Sequence, residues 1–142
     1  MKFRMGHVYA EIELINSQDL VDARRHRIGE EEIKRIRVKM LVDSGAYMLC
    51  INENIQSYLQ LPFRQRKRCE VADGRVVECD IVGPVDLRFA NRDTACNAFV
   101  LPGDSEPLLG AIPMEEMDVL IDMKRQELVV NPKHPDGAVL RL

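Results

Sequence analysis

Apolar and polar side chains alternate in two stretches near the start of the chain. Apolar residues occupy every second position in residues 8–14 and again in residues 35–40, with charged or polar residues between them. A period of two predicts strands with one buried face. The segment between these strands, residues 17–32, is polar and of mixed charge. It predicts a solvated loop or short helix, inserted between two strands.

The middle of the chain predicts a short helix followed by a hairpin. Asn52 is a good helix N-cap, and Pro62 would stop a helix formed by the residues between them. Residues 69–82 place Asp73-Gly74 between two extended arms. Because glycine readily adopts the positive φ angle that tight turns need, this segment predicts a β-hairpin.

The remaining patterns predict further short strands and one more helix. Residues 84–89 and 95–101 look like a strand pair, and Pro113 suits the first turn of a helix over residues 112–118. The last predicted elements are a hairpin of residues 119–122 and 127–130 and a terminal strand over residues 138–142. Many short strands with one or two short helices predict a mostly-β, closed barrel-like domain spanning residues 1–142.

Composition and charge exclude several function classes. The chain has 142 residues, 46% of them hydrophobic and 30% charged, with a formal net charge of -3. No apolar run has the length of a signal peptide or membrane span, which predicts a cytoplasmic protein with no membrane partner. Aromatic residues do not interleave the basic runs at 24–27 and 64–68, so we expect solvated surface there and no nucleic-acid partner.

The cysteines and histidines give little support for a metal site. No CxxC pair is present, and the three histidines do not cluster with the cysteines. We therefore expect reduced, mostly buried thiols and no metal or cofactor. The four cysteines are Cys50, Cys69, Cys79 and Cys96.

The segment LVDSGA, residues 41–46, is the one that carries candidate chemistry. An apolar strand delivers the carboxylate of Asp43 to a turn, where Gly45 lets the backbone bend tightly and Ser44 can brace it. A single carboxylate cannot both activate a water and protonate a leaving group. Two carboxylates that share one proton can do so, because their like charges drive their pKa values apart.

Three segments in this order and spacing resemble the retropepsin-like aspartic proteases, in particular their bacterial and cellular branch. They are LVDSGA (41–46), VADGRVV (71–77) and LLGAIPMEEMDVLID (108–122). The resemblance implies an acid-protease fold and a homodimer with its active site on the two-fold axis. It implies that Asp43 and its counterpart bind the water that cleaves a peptide substrate, without a cofactor. Because the chain has one such motif, it fits the half-sized dimeric branch.

The resemblance also assigns roles to other residues. It implies that Ser44 hydrogen-bonds across the dimer and that Gly45 and Ala46 complete the catalytic turn. Leu108, Leu109 and Gly110 would support this turn from below. The hairpin tip, residues Ala72, Asp73, Gly74 and Arg75, would be the flap over the substrate.

The chain departs from the viral pattern in ways that leave a second function open. Ser44 replaces the commoner threonine, Ala111 stands where viral enzymes carry an arginine that contributes to the dimer, and the flap tip has one glycine. We expect an aspartic endopeptidase. The alternative is a non-catalytic dimeric module that binds a peptide or partner with the same fold. In either case we expect residues 8–14 and 138–142 at the subunit interface.

Overall fold

The computed structural model describes residues 7–142. Its strands are β1 (Tyr9–Asn16), β2 (Arg35–Val42), β3 (Leu49–Asn52), β4 (Phe63–Glu70), β5 (Val76–Phe89), β6 (Arg92–Leu101), β7 (Leu108–Leu109), β8 (Val119–Asp122) and β9 (Glu127–Val130). Its helices are α1 (Ser17–Arg24), α2 (Glu53–Leu59) and α3 (Ala111–Met117). Seven strands form one sheet in the order β1-β2-β7-β3-β6-β5-β4, and β8 and β9 form a separate hairpin.

The sheet closes into a barrel because β1, at one end of this order, also pairs with β5. Residues 13–16 of β1 lie antiparallel to residues 85–88 of β5, while β1 pairs with β2 on its other edge. β4 lies beyond β5 and is therefore outside the closed circuit. The predicted mostly-β, closed barrel-like fold is confirmed.

The alternating pattern of the strands produces the core. Apolar residues of β1, β2, β3, β5 and β7 point into the barrel and pack together, while their polar neighbours face outward. Each such side chain contributes about 1.5–3 kcal/mol relative to an exposed position. Fully buried members of the core include Ile12, Leu14, Met40, Leu49, Leu87 and Leu109.

Residues 7–142 form three α-helices, where the sequence predicted one or two. The third is α1, which lies in the segment predicted to be a loop or short helix, and a 3-10 turn follows at Glu30–Glu32. Asn16 caps α1 by accepting a hydrogen bond from the N–H of Asp19 at 3.1 Å. The buried Asp19 in turn pairs with the Lys34 ammonium at 3.1 Å. No helix within residues 7–142 is long and apolar enough to cross a membrane.

Two strand predictions need correction. The arms predicted as separate strands at 76–82 and 84–89 form the single strand β5, with an irregularity between Val82 and Val85. Residues 138–142, predicted as a terminal strand, form no strand within the described residues 7–142. The N–H of Val139 donates to the carboxylate of Asp118 at 3.1 Å.

The predicted placement of the terminal segments at a subunit interface stays a prediction. β1 pairs with β2 over Tyr9–Ile15 and with β5 over its last four residues, so most of its backbone groups are used within the chain. The C-terminal residues differ, since the side chains of Val139 and Leu140 are more than half exposed.

Candidate active site

Asp43 lies at the end of β2, where the chain leaves the sheet toward β3. The two-residue strand β7 fits between these strands: it runs parallel to β2, pairing Leu109 with Val42, and antiparallel to β3, pairing Leu109 with Leu49. The N–H of Asp43 donates to the carbonyl of Leu109 at 3.0 Å. The buried Leu109, on the neighbouring strand β7, therefore fixes the start of the Asp43 turn through its backbone carbonyl.

The carboxylate of Asp43 is oriented by its own turn. Its Oδ1 accepts a hydrogen bond from the N–H of Gly45 at 2.9 Å, and its carbonyl accepts one from Ala46 at 3.1 Å. A Cβ on residue 45 would lie 3.2 Å from this Oδ1, so glycine allows the close approach. Asp43 is half-buried and Ser44 is exposed, which leaves the turn accessible from solvent.

The turn continues into a loop that is braced by the first residues of α3. The N–H of Ala111 donates to the carbonyl of Ala46 at 2.8 Å, and the N–H of Ile112 donates to that of Tyr47 at 2.9 Å. Gly110 is buried beneath the loop. A Cβ at this position would lie 2.7 Å from the backbone nitrogen of Met48 and closer still to its carbonyl oxygen. Only glycine permits this packing without displacement of the loop.

The hairpin formed by β4 and β5 ends in a tight, exposed turn. Gly74 has a φ angle of 87°, and the N–H of Val71 donates to the carbonyl of Arg75 at 2.9 Å. The backbone N–H of Arg75, followed by its guanidinium, lowers the pKa of Asp73 below its ordinary value. The predicted hairpin is confirmed, while its role as a flap stays a prediction.

Three thiols, those of Cys50, Cys69 and Cys79, influence one another, and the first of them also lies near Asp43. Burial raises the pKa of the Cys50 thiol to about 12, with smaller contributions from Cys79, Cys69 and the Asp43 carboxylate. Burial also raises the pKa of Cys79 to about 11, and the neighbouring Cys69 thiol adds to this effect. Sequence reasoning missed this group because strand pairing, and not a motif of adjacent residues, brings its members together. Within residues 7–142, no group of three or more histidine, cysteine or acidic side chains is arranged to hold a metal ion.

The structure joins two of the three sets of residues that the sequence indicated. It brings the turn residues Asp43–Ala46 and the support residues Leu108–Gly110 into contact through backbone hydrogen bonds. The hairpin residues 72–75 form a separate exposed turn. Sequence reasoning missed the backbone of Tyr47 and Met48, against which Gly110 packs. The position of these two residues directly after the turn was the signal available.

Comparisons with known proteins concern the family and the fold of this chain. A family model described as aspartyl protease matches residues 27–112. Among solved structures, the chain is similar to the retroviral protease-like domain of Ddi1 from Leishmania major, with a TM-score of 0.56 and 18% sequence identity. That similarity covers 91% of each chain. No curated protein sequence is similar enough to count as a relative.

Proposed function

Because the chain belongs to the aspartyl protease family, we propose that it is one subunit of a homodimeric aspartic endopeptidase in which Asp43 activates water. The observation that carries the proposal is the construction of the Asp43 turn. A half-buried carboxylate, oriented by Gly45 and braced by β7 and α3, stands where solvent can reach it. Such rigid support is what a catalytic carboxylate needs in order to hold a reacting water in place.

Dimerisation supplies the second carboxylate that the chemistry requires. The ionised carboxylate of the pair takes a proton from water as the water oxygen attacks the peptide carbonyl, and the protonated one gives its proton to the carbonyl oxygen. The resulting diol collapses when the C–N bond breaks, a carboxyl proton passes to the leaving nitrogen, and one diol hydroxyl gives its proton to the other carboxylate. Each subunit carries one Asp-Ser-Gly motif, so the pair exists only when two copies assemble.

The other predicted site residues have supporting roles in this proposal. Ser44, exposed beside Asp43, is available to hydrogen-bond across the dimer. Leu108, Leu109 and Gly110 hold the turn from beneath. The exposed tip of residues 72–75 closes over the substrate. The substrate lies as an extended strand between this hairpin and the floor of the active site, which carries the Asp43 turn.

Replacement of Asp43 by asparagine tests the proposed chemistry. Asparagine has nearly the same shape but cannot act as a base, so Asp43→Asn should abolish cleavage of a varied peptide library while the fold and the dimer persist. Asp104→Asn, at an exposed position in another loop, is the matched control and should cleave like the wild type. Cleavage by the wild type should follow a bell-shaped pH profile set by the carboxylate pair. Equal cleavage by wild type and Asp43→Asn would remove Asp43 from the mechanism.

The alternative is a dimeric binding module of the same fold, which holds a peptide or partner without cutting it. Light scattering at micromolar concentration and peptide binding by fluorescence anisotropy separate the two functions. A folded dimer that binds peptides but cleaves none would favour the module. A strict monomer would contradict the shared-carboxylate mechanism.

A further inference from the structure

Two cysteines are diagonal neighbours on one face of the hairpin formed by β4 and β5. In the register of the two strands, Cys69 lies opposite Val77, and Cys79 lies opposite Lys67. Directly opposed residues share a face of a sheet, and so do residues two apart along a strand. Cys69 and Cys79 therefore project from the same face of the hairpin. Both are free thiols, with Cys69 half-buried and Cys79 buried.

The third thiol of this region is on the same face but further away. Cys50 of β3 lies opposite Phe99 of β6, and Phe99 lies opposite Ile81 of β5, two residues beyond Cys79. Cys50 and Cys79 are thus separated by the whole of β6. The pair on the hairpin is the one whose members lie on adjacent, directly paired strands.

We propose that Cys69 and Cys79 form a reversible dithiol–disulfide pair that responds to peroxide and changes the shape of the hairpin over residues 63–82. The site is thus one of covalent modification, and its oxidant is a hydroperoxide. The consequence for catalysis rests on the proposed function, since it requires the hairpin to cover the substrate. The formation of the bond does not depend on that function.

The geometry makes this disulfide a strained one. Diagonal neighbours in an antiparallel pair have Cα atoms about 7–8 Å apart, whereas disulfides usually join Cα atoms about 4.4–6.8 Å apart. Closing the bond between Cys69 and Cys79 therefore makes β4 slide or twist against β5. β4 can do so because it lies at the edge of the sheet and pairs only with β5 among the described residues. Strained disulfides are easily reduced, which suits reversible regulation.

The oxidation balances with hydrogen peroxide as the only co-reactant. The thiolate of Cys69, the more exposed of the two residues, attacks one peroxide oxygen, which gives a sulfenic acid and a hydroxide ion. The hydroxide takes up the proton that the thiol lost and becomes water. The sulfur of Cys79 then attacks the sulfenic sulfur, the S–O bond breaks, and the thiol proton leaves with the oxygen as a second water. Two thiols are oxidised by two electrons, and one peroxide is reduced to two waters.

The test uses the full chain and the serine variants of its cysteines. Reduced protein is treated with hydrogen peroxide, quenched by alkylation, digested and mapped by mass spectrometry. We expect a link between Cys69 and Cys79 that dithiothreitol reverses. Cys69→Ser and Cys79→Ser should each abolish this link. Cys96→Ser is the matched control and should retain it, because Cys96 lies on β6 opposite Val85.

Hydrogen exchange measures the effect on the hairpin without any need for catalysis. In the oxidised protein, amide exchange over residues 63–82 should slow by about tenfold. An unstrained disulfide closing the loop of residues 69–79 would slow exchange more, because none of its stabilisation would be lost to strain. The rate of peptide cleavage should change on oxidation together with the exchange rate, and should return to its original value on reduction. Absence of the link, a link from Cys79 to Cys50 instead, or a link that leaves exchange unchanged would overturn the inference. Because mapping and exchange are independent of activity, they decide the inference even where no peptide is cleaved.

Discussion

Gly110→Ala should damage the protein at the Asp43 loop while it adds only one methyl group. The new Cβ would lie 2.7 Å from the backbone nitrogen of Met48 and from the carbonyl carbon of Tyr47. Ordinary contact begins near 3.4 Å, and the carbonyl oxygen of Met48 lies nearer still, so the loop must retreat by more than about 0.7 Å. The obstructing atoms are backbone, which cannot rotate away as a flexible side chain can.

The magnitude of the effect follows from this displacement. Overpacking of a buried site costs about 1–3 kcal/mol, and the rigid neighbours of Gly110 favour the upper half of that range. The loop that must move also carries Asp43, and a shift of about 1 Å at a catalytic group can lower turnover by about 100-fold. We therefore expect a loss of about 2–3 kcal/mol in the free energy of unfolding and a fall in kcat of about 10- to 100-fold.

Denaturant unfolding and steady-state cleavage of a common peptide measure the two effects. Gly137→Ala is the matched control, because a Cβ there meets nothing within 4 Å. It should leave the free energy of unfolding within about 0.5 kcal/mol of wild type. A Gly110→Ala protein with the stability of the control would refute the close packing of Gly110 against Met48. A destabilised protein with full activity would show that the Asp43 loop tolerates displacement.

Two further predictions concern the C-terminal part of the chain. The N–H of Val139, then Asn131 and His134, lower the pKa of Asp118 from its ordinary 3.8 to about 2. The ionised form of Asp118 therefore stabilises the fold above about pH 4, and the stability difference between wild type and Asp118→Asn should shrink as pH falls from 4 to 2. A difference that stays constant through that window in denaturant titrations would contradict the role of the charge. Deletion of residues 138–142 removes exposed apolar side chains and should raise the dimer dissociation constant in sedimentation, whereas an unchanged constant would place the interface elsewhere.

The fold could be predicted to the extent that local patterns determine it. The alternation in β1 and β2, the Asn52 cap and the Asp73-Gly74 turn each depend on residues close together in the chain, and each formed as expected. The terminal strand failed because a strand needs a partner edge, which its own five residues cannot specify.

The candidate site was only partly predictable for the same reason. The motif identified Asp43, and the resemblance identified the segment ending in Gly110. No local pattern indicated that Gly110 packs against the backbone of Met48, since the register between distant strands decides that contact. The proximity of Cys69 to Cys79 likewise depends on how the hairpin pairs. Counting outward from its turn would have predicted it.

The insertion of β7 between β2 and β3 has a consequence for how the protein folds. Leu41 and Val42 lie beside β1 on one edge of β2, and on the other edge they pair with Leu108 and Leu109, more than sixty residues later in the sequence. Contacts between residues so far apart in the sequence form slowly, because the intervening chain loses conformational entropy before the contact can stabilise the fold. During synthesis on the ribosome, the Asp43 turn lacks the support of β7 until Leu108 and Leu109 have emerged. A nascent or truncated chain that ends before Leu108 therefore lacks the β7 and α3 contacts that brace the Asp43 loop.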